Sequence, residues 1–152
     1  MSQSLSALYV HIIFSTKNRA PLIDALICQR LWQYLGGICS ALDCPSVQIG
    51  GTHDHVHILC SLSRALSPKE LVGKLKADSS KWIKSTFSGC EDFYWQSGYG
   101  IFSVNPLEQK KLITYIANQE EHHKQRDFCE EFRLFLEKYN IPYDENFIWS
   151  ER

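Results

Sequence analysis

Several absences narrow the possibilities for this chain. No apolar run approaches the roughly 20 residues a membrane-spanning helix needs. The first 15 residues also lack a basic start followed by an apolar signal core. Together these point to a cytoplasmic protein with no membrane segment. None of the six cysteines, Cys28, Cys39, Cys44, Cys60, Cys90 and Cys129, falls in a C-x-x-C pair. That argues against a zinc ribbon or a dithiol redox motif and leaves free, buried thiols as the expected state. Internal repeats and low-complexity linkers are missing as well. Net charge is nearly absent, at −1 from 16 basic and 17 acidic side chains, which by itself disfavours a polyanionic partner. The distribution says otherwise: residues 64 to 84 carry six bases against two acids, whereas residues 127 to 152 carry seven acids against three bases. A neutral sum can therefore conceal a basic face.

What remains is 152 residues with 44% hydrophobic and 22% charged content. That is long enough for one soluble domain, spanning 1–152, to bury a proper core. Residues 7 to 15, ALYVHIIFS, are rich in β-branched and aromatic types and read as a buried strand. Residues 24 to 42 open on Asp24 as a cap and continue at helical spacing, with a weak point at Gly36 and Gly37. VQIGG and HVHILCSLS read as a hairpin turning near His53 and Asp54. Residues 67 to 87 begin with Ser67, Pro68 and Glu70, a capping-box signature. Leu71, Leu75, Trp82 and Ile83 share one side of that helix, and lysines occupy the other. A strand over 93 to 104, a helix from Pro106 to about Lys124 and a further helix to Tyr139 complete the reading. The order β-α-β-β-α-β followed by helices predicts an α+β fold: a ferredoxin-like, split βαβ antiparallel sheet with an added C-terminal helix and a helical tail. The helix over 106 to 124 is the candidate to cover the sheet's second face.

The chemistry-bearing residues fall in two places. His55 and His57 are two apart on a strand, so both project from one face while Val56 points to the other. That spacing lets two imidazoles grip one metal ion, although a hydrogen-bonded histidine pair would look the same in sequence. In YIANQEEHH, residues 115 to 123, helical spacing brings Tyr115, Gln119 and His122 to one side, at the edge of an apolar stripe of Leu112, Ile113 and Ile116. A lone tyrosine there is usually a core-edge residue. His53 and Asp54 read as turn residues. His122 and His123 suit a structural or DNA-contacting role, and Lys17, Arg19 and the lysines of the second helix suit phosphate contacts. Tyr94, Trp95 and Tyr99 serve either as core or as stacking platforms.

Taken in order, HDHVHIL, YWQSGYGIFSV, YIANQ, QEEHHK and EEFRLFLEKYNIPYDENFIW resemble the single-tyrosine transposases of the IS200/IS605 type. These belong to the His-hydrophobic-His nuclease superfamily, and the likeness runs through almost the whole chain. The resemblance implies that Tyr115 is the nucleophile on a catalytic C-terminal helix, and that His55, His57 and Gln119 bind Mg²⁺ or Mn²⁺. It also implies metal-dependent cleavage and strand transfer of single-stranded or hairpin DNA through a 5′-phosphotyrosine, in a homodimer whose active sites can be shared between subunits. The chain also resembles the domesticated relatives associated with repetitive extragenic palindromes, which would make it a repeat-associated single-strand endonuclease instead.

Elementary chemistry agrees with this implication. A free tyrosine, with a pKa of about 10, is only about 0.1% phenolate at pH 7, so a tyrosine nucleophile needs a neighbouring cation or base. Two imidazoles and an amide would leave a divalent ion's charge uncompensated and coordination positions open for phosphate oxygens. By ligand type alone, softer divalent ions would bind such a set more tightly than Mg²⁺. A phosphotyrosyl bond conserves the phosphodiester for a second strand, and no nucleotide cofactor is needed. Two rivals fit the same residues: a catalytically silent DNA-binding regulator of a mobile element, and a metal-dependent hydrolase in which water attacks and Tyr115 is structural.

Overall fold

Strand alternation organises the molecule. In the computed structural model, which describes residues 2–149, β1 (Tyr9–Ser15), β2 (Ser46–Gly51), β3 (His55–Ser61) and β4 (Gly100–Val104) form one sheet in the order β2-β3-β1-β4. Every neighbouring pair is antiparallel. This is the ferredoxin-like arrangement expected from the element order. Met1 and residues 150 to 152, the ends of the expected 1–152 span, lie outside the described residues.

One sheet face presents Val10, Ile12 and Phe14 from β1 and Val56, Ile58 and Cys60 from β3. Leu31 and Leu35 of α1 (Ala25–Ala41) and Leu71 and Leu75 of α2 (Pro68–Thr86) pack with them in a single core cluster. Both helices begin where their sequences direct. The Asp24 carboxylate accepts from the N–H groups of Leu26 and Ile27 at 2.9 and 3.0 Å, and Ser67 and Glu70 close a reciprocal capping box. Such caps are each worth about 1 kcal/mol.

The opposite face carries the alternate residues, His11 and Ile13 of β1, His55 and His57 of β3 and Phe102 of β4. A second helical layer seals it: α3 (Gln109–Ala117), the short α4 (Gln119–His122) and α5 (Phe128–Lys138). Covered on both faces, β3 is buried from His55 to Cys60. The expected 106-to-124 helix does lie here, against β2 and β3, but it shares the work with α5. Phe128, Phe132 and Leu136 of α5 cluster with Ile13 and Phe102.

Two elements differ from the sequence reading. The 106-to-124 helix is not continuous: Pro106–Glu108 forms a 3-10 turn, and the helix breaks at Asn118, whose φ and ψ are −106° and 30°. Asparagine is a poor helix-interior residue because its side chain competes for backbone groups. The strand expected from residue 93 begins only at Gly100. Residues 93 to 99 instead form a loop that turns Phe93 and Trp95 into the α1/α2 core and meets the end of β1 through hydrogen bonds between Ser15 and Gln96 and a Thr16–Trp95 bridge just beyond the strand. Lys76 braces this loop by donating to the carbonyls of Gln96 and Gly98 at 2.7 and 2.6 Å, so it does not belong to the solvated basic stripe.

The approach of α3 to β2 depends on Gly50. A Cβ at that position would stand 2.5 Å from the Ile116 carbonyl oxygen and 3.1 Å from its Cγ2, and backbone cannot yield as a flexible side-chain tip can. Gly50→Ala should therefore push α3 outward and cost about 1–3 kcal/mol, lowering the melting temperature by several degrees. Gly73→Ala, on α2 with nothing within 4 Å of the new carbon, should raise it slightly because alanine favours a helix by roughly 0.5–1 kcal/mol. Thermal melts of the two variants side by side check both signs.

Candidate active site

His55 and His57 reach the same face of β3, as their alternation requires, and both are fully buried. The helix break at Asn118 is followed at once by Gln119, which is buried and aims its Oε1 at His55 Nε2, 3.0 Å away. The amide nitrogen of Gln119 meets the Tyr115 carbonyl at 3.3 Å. Tyr115, half-buried on α3, stacks its ring on His122 with centroids 4.5 Å apart and stands 5.8 Å from the His57 ring. All four residues singled out in the sequence thus meet within one chain.

Three further residues complete the cluster. Glu131 of α5 is only 3% exposed. Its Oε1 lies 2.9 Å from His57 Nε2, 3.2 Å from His123 Nε2 and 3.6 Å from His55 Nε2, and its Oε2 accepts a short hydrogen bond from the Tyr115 hydroxyl. His11, buried on β1, places Nε2 2.8 Å from His57 Nδ1. Glu131 does carry a sequence signal: it falls among Phe128, Phe132, Phe135 and Leu136 on one helical side, and an acid on an apolar side requires a partner. His11 shares strand parity with Ile13, facing His57's side of the sheet. For His123, adjacency to His122 gives no such clue, because the chain leaves the helix there.

The histidine tautomers follow from their hydrogen-bond partners. Asp54 Oδ1 lies 2.8 Å from His55 Nδ1. A carboxylate can only accept, so that nitrogen carries the hydrogen and the neutral ring's Nε2 is a lone pair. This lone pair faces the lone pairs of Gln119 Oε1. Two acceptors 3.0 Å apart call for a hydrogen, from a protonated ring or a turned amide, or for a metal cation between them. His123 Nε2 is buried without an aligned hydrogen bond despite its nearness to Glu131. One donor atom from each of His55, His57, His123 and Glu131 lies within 4.8 Å of the others. Imidazole and carboxylate donors at this spacing suit a divalent transition-type ion, and Mn²⁺ better than Mg²⁺. The Asp54 carboxylate behind His55 is the kind of outer partner that fixes a ligand's tautomer.

The electrostatics are those of a desolvated anion among donors. Burial alone would raise the Glu131 pKa, but His57 and His123 hold it far below the carboxylate range. Burial lowers the pKa of His57 and of His11, keeping both rings neutral. In His123 burial is outweighed by the Glu131 carboxylate, and its pKa is raised. Tyr115 is pushed well above its ordinary value by burial and by Glu131, so its hydroxyl keeps its hydrogen.

Elsewhere the candidates disperse. The His53 side chain is 61% exposed in the β2–β3 turn, 3.8 Å from Asp54. Lys17 and Lys84 lie over the ring of Tyr94, which is half exposed, at 5.8 and 3.8 Å. Arg19 packs over Trp149 at 5.4 Å. Trp95 is core, its indole N–H donating to Ser79. All six cysteines are free.

A ferredoxin-like sheet bearing paired histidines beneath a tyrosine helix defines the class: a single-tyrosine member of the His-hydrophobic-His proteins. The family model for IS200-like transposases matches residues 4–119, and the chain belongs to that family. Among solved structures, it is similar to a provisionally assigned transposase from Deinococcus radiodurans R1, with 22% identity and a TM-score of 0.62 over 78% of this chain and 98% of the other. It is also similar to a REP-associated tyrosine transposase bound to a REP hairpin, with 12% identity and a TM-score of 0.59 over 81% of this chain and 74% of the other. At these identities the likeness is one of fold. No curated protein matches in sequence. The family match stops at Gln119, so Glu131 enters the site from beyond it.

Metal binding should compete with protons here. The raised pKa of His123 gives its ion pair with Glu131 a stabilising share that is full below about pH 6.5 and fades as pH rises through the folded value. An ion that takes His123 as a ligand must displace that proton. Calorimetric Mn²⁺ affinity should therefore rise from pH 6 to pH 8, by up to about tenfold per unit for each proton displaced. His123→Ala should flatten this slope, and an unchanged slope would remove His123 from the ligand set.

Proposed function

We propose that this chain is a DNA transposase that cleaves and rejoins single-stranded DNA through Tyr115, with residues 1–152 acting as one catalytic domain in the cytoplasm. Among the described residues no helix is long and apolar enough to cross a membrane. The observation that carries the reading is the convergence of Tyr115, His55, His57 and Gln119 around one buried carboxylate in a single chain. A structural tyrosine needs no such company.

In this reading His55, His57 and Gln119 hold Mg²⁺ or Mn²⁺, joined by Glu131 and His123. When bound, the ion supplies Lewis acidity toward the phosphate and a template for its orientation. The protein's own groups do the rest. Tyr115 Oη forms a bond to phosphorus as the bond from phosphorus to the 3′ oxygen breaks. Glu131 Oε2, which already accepts the phenolic hydrogen, receives the proton, and the 3′ oxygen leaves and is protonated from solvent. The products are a 5′-phosphotyrosine and a free 3′-hydroxyl. A weakly basic carboxylate suffices because the phenolic oxygen becomes far more acidic as it bonds to phosphorus. Attack by another 3′-hydroxyl then reverses the step and transfers the strand. The hairpin bound by the REP-associated relative supports hairpin or single-stranded DNA as the partner. One chain brings the whole set together, which supports cleavage in cis; in a homodimer, exchange of the tyrosine helix would place the same groups in trans.

Incubating the protein with labelled hairpin DNA bearing unpaired flanks, in Mg²⁺ or Mn²⁺, should give a covalent adduct on a denaturing gel. Tyr115→Phe should abolish the adduct. His55→Ala or His57→Ala should reduce cleavage by about 100-fold or more, the upper range for perturbing a metal shell. Cleavage that persists in Tyr115→Phe would favour the water-attack hydrolase, and binding without cleavage in wild-type protein would favour the silent regulator.

A further inference from the structure

Beside the reactive cluster a cleft of about 790 Å³ opens between α3, α5 and the end of β4. We infer that it is a base-binding subsite, taking one unpaired nucleotide next to the phosphate under attack. This inference rests on the tyrosine chemistry proposed above and adds the part of the substrate that the chemistry itself does not specify.

Three features carry it. Tyr115 and Glu131 both line the cleft, so a nucleoside attached to a phosphorus at Tyr115 Oη has this space within reach; the other cavity beside Tyr115, at about 210 Å³ between the histidines and Arg126, falls below the range of clefts that enclose small organic ligands. The volume lies in the range of clefts that enclose small organic ligands, about 300–1,000 Å³. The walls are apolar and partly aromatic. Leu112, Leu134 and Phe135 line them, and Leu134 remains 42% exposed. The Phe135 ring is fixed by Phe102, stacked at 5.5 Å, and by the edges of His11 and Tyr115 at 5.0 and 6.0 Å. A rigid ring beside an open apolar space is a platform on which any base can stack. The third feature is charge. Lys111, Arg126 and Lys138 line the cleft together with the carboxylates of Glu108 and Glu131. Glu131 is turned inward to Tyr115 and the histidines, while Glu108 offers only an exposed 3.9 Å pairing to Lys111. The outer lining is thus net positive, as a flanking phosphate requires.

The cleft admits a base only if that base is unpaired and unstacked, which gives a structural reason for single-stranded substrate. Apolar and aromatic walls read the presence of a base more than its identity. Abasic substitution should therefore matter more than base exchange.

The test uses the 152-residue chain carrying Tyr115→Phe and hairpin oligonucleotides with 2-aminopurine, or an abasic site, at each unpaired flanking position in turn. At one position the fluorescence should change on binding, and an abasic site there should weaken affinity about tenfold. Phe135→Ala and Leu134→Glu should both erase that position's signal and its abasic penalty. Leu134 is exposed, so its variant preserves the fold if Phe135→Ala does not, and melting curves show which has happened. If no position depends on the Leu134 variant, the subsite is overturned. The wild-type adduct gel separates the two readings: an adduct without a position-specific loss removes the subsite alone, and a position-specific loss without an adduct removes the tyrosine chemistry alone.

Discussion

A buried anion must be met by donors, and the placement of Glu131 makes this the governing constraint of the site. Its carboxylate is nearly sealed from water, where an unpaired charge would be untenable. The groups around it come from separate elements: Tyr115 from α3, His57 from β3 and His123 from the end of α4. Removing one partner of such a buried set costs about 3–5 kcal/mol, because the remaining charge is left uncompensated. The carboxylate therefore fastens α5 onto β3. Phe128, Phe132 and Leu136 add the apolar contact that keeps water away. The same burial that fastens α5 also holds the phenol in its protonated form.

That arrangement depends on backbone detail in the preceding helix. The break at Asn118 restarts the chain so that Gln119 turns inward to His55 while Tyr115 stays level with His57. The Asn118 N–H is shared between the carbonyls of Thr114 and Tyr115, so the interruption leaves no orphaned donor. Gly50 sets the depth, since only a residue without a side chain lets β2 meet the Ile116 backbone. Strand parity on one side and a helix break on the other thus converge on a single pocket of donors.

Much of this was legible in advance, for reasons that differ from element to element. Period-two alternation in YVHIIFS and HVHILC marks which side chains share a sheet face, and the Asp24 and Ser67 caps mark helix starts by local hydrogen bonding; both signals are short-range and survive in sequence. The second layer was less legible. Whether residues 106 to 124 form one helix or two depends on what Gln119 finds to bind. The extended look of FYWQSGYG was misleading because Lys76 and Ser15, distant in sequence, hold it as a loop through their hydrogen bonds to Gln96. Glu131 and His123 join the site through tertiary contacts alone. Only the acid's position among phenylalanines hinted that it was wanted inside.

The contact between His57 and His11 fixes their tautomers, and it sets what a metal ion at His57 would require of both rings. With Glu131 accepting, His57 Nε2 carries hydrogen, so its Nδ1 is a lone pair and His11 Nε2 must be the donor. For His57 to ligate a cation through Nε2, that hydrogen has to move to Nδ1. The contact with His11 then survives only if His11 accepts, with its own hydrogen on Nδ1. Both rings are neutral because burial lowers their pKa values, so the exchange needs no buried imidazolium in either end state. A residue that could not switch roles, such as a methylated or aliphatic substitute, would leave His57 Nδ1–H without an acceptor in the interior, at a cost of about 1–3 kcal/mol. His11 can thus partner His57 in either tautomer, from a strand that is hydrogen-bonded on both edges.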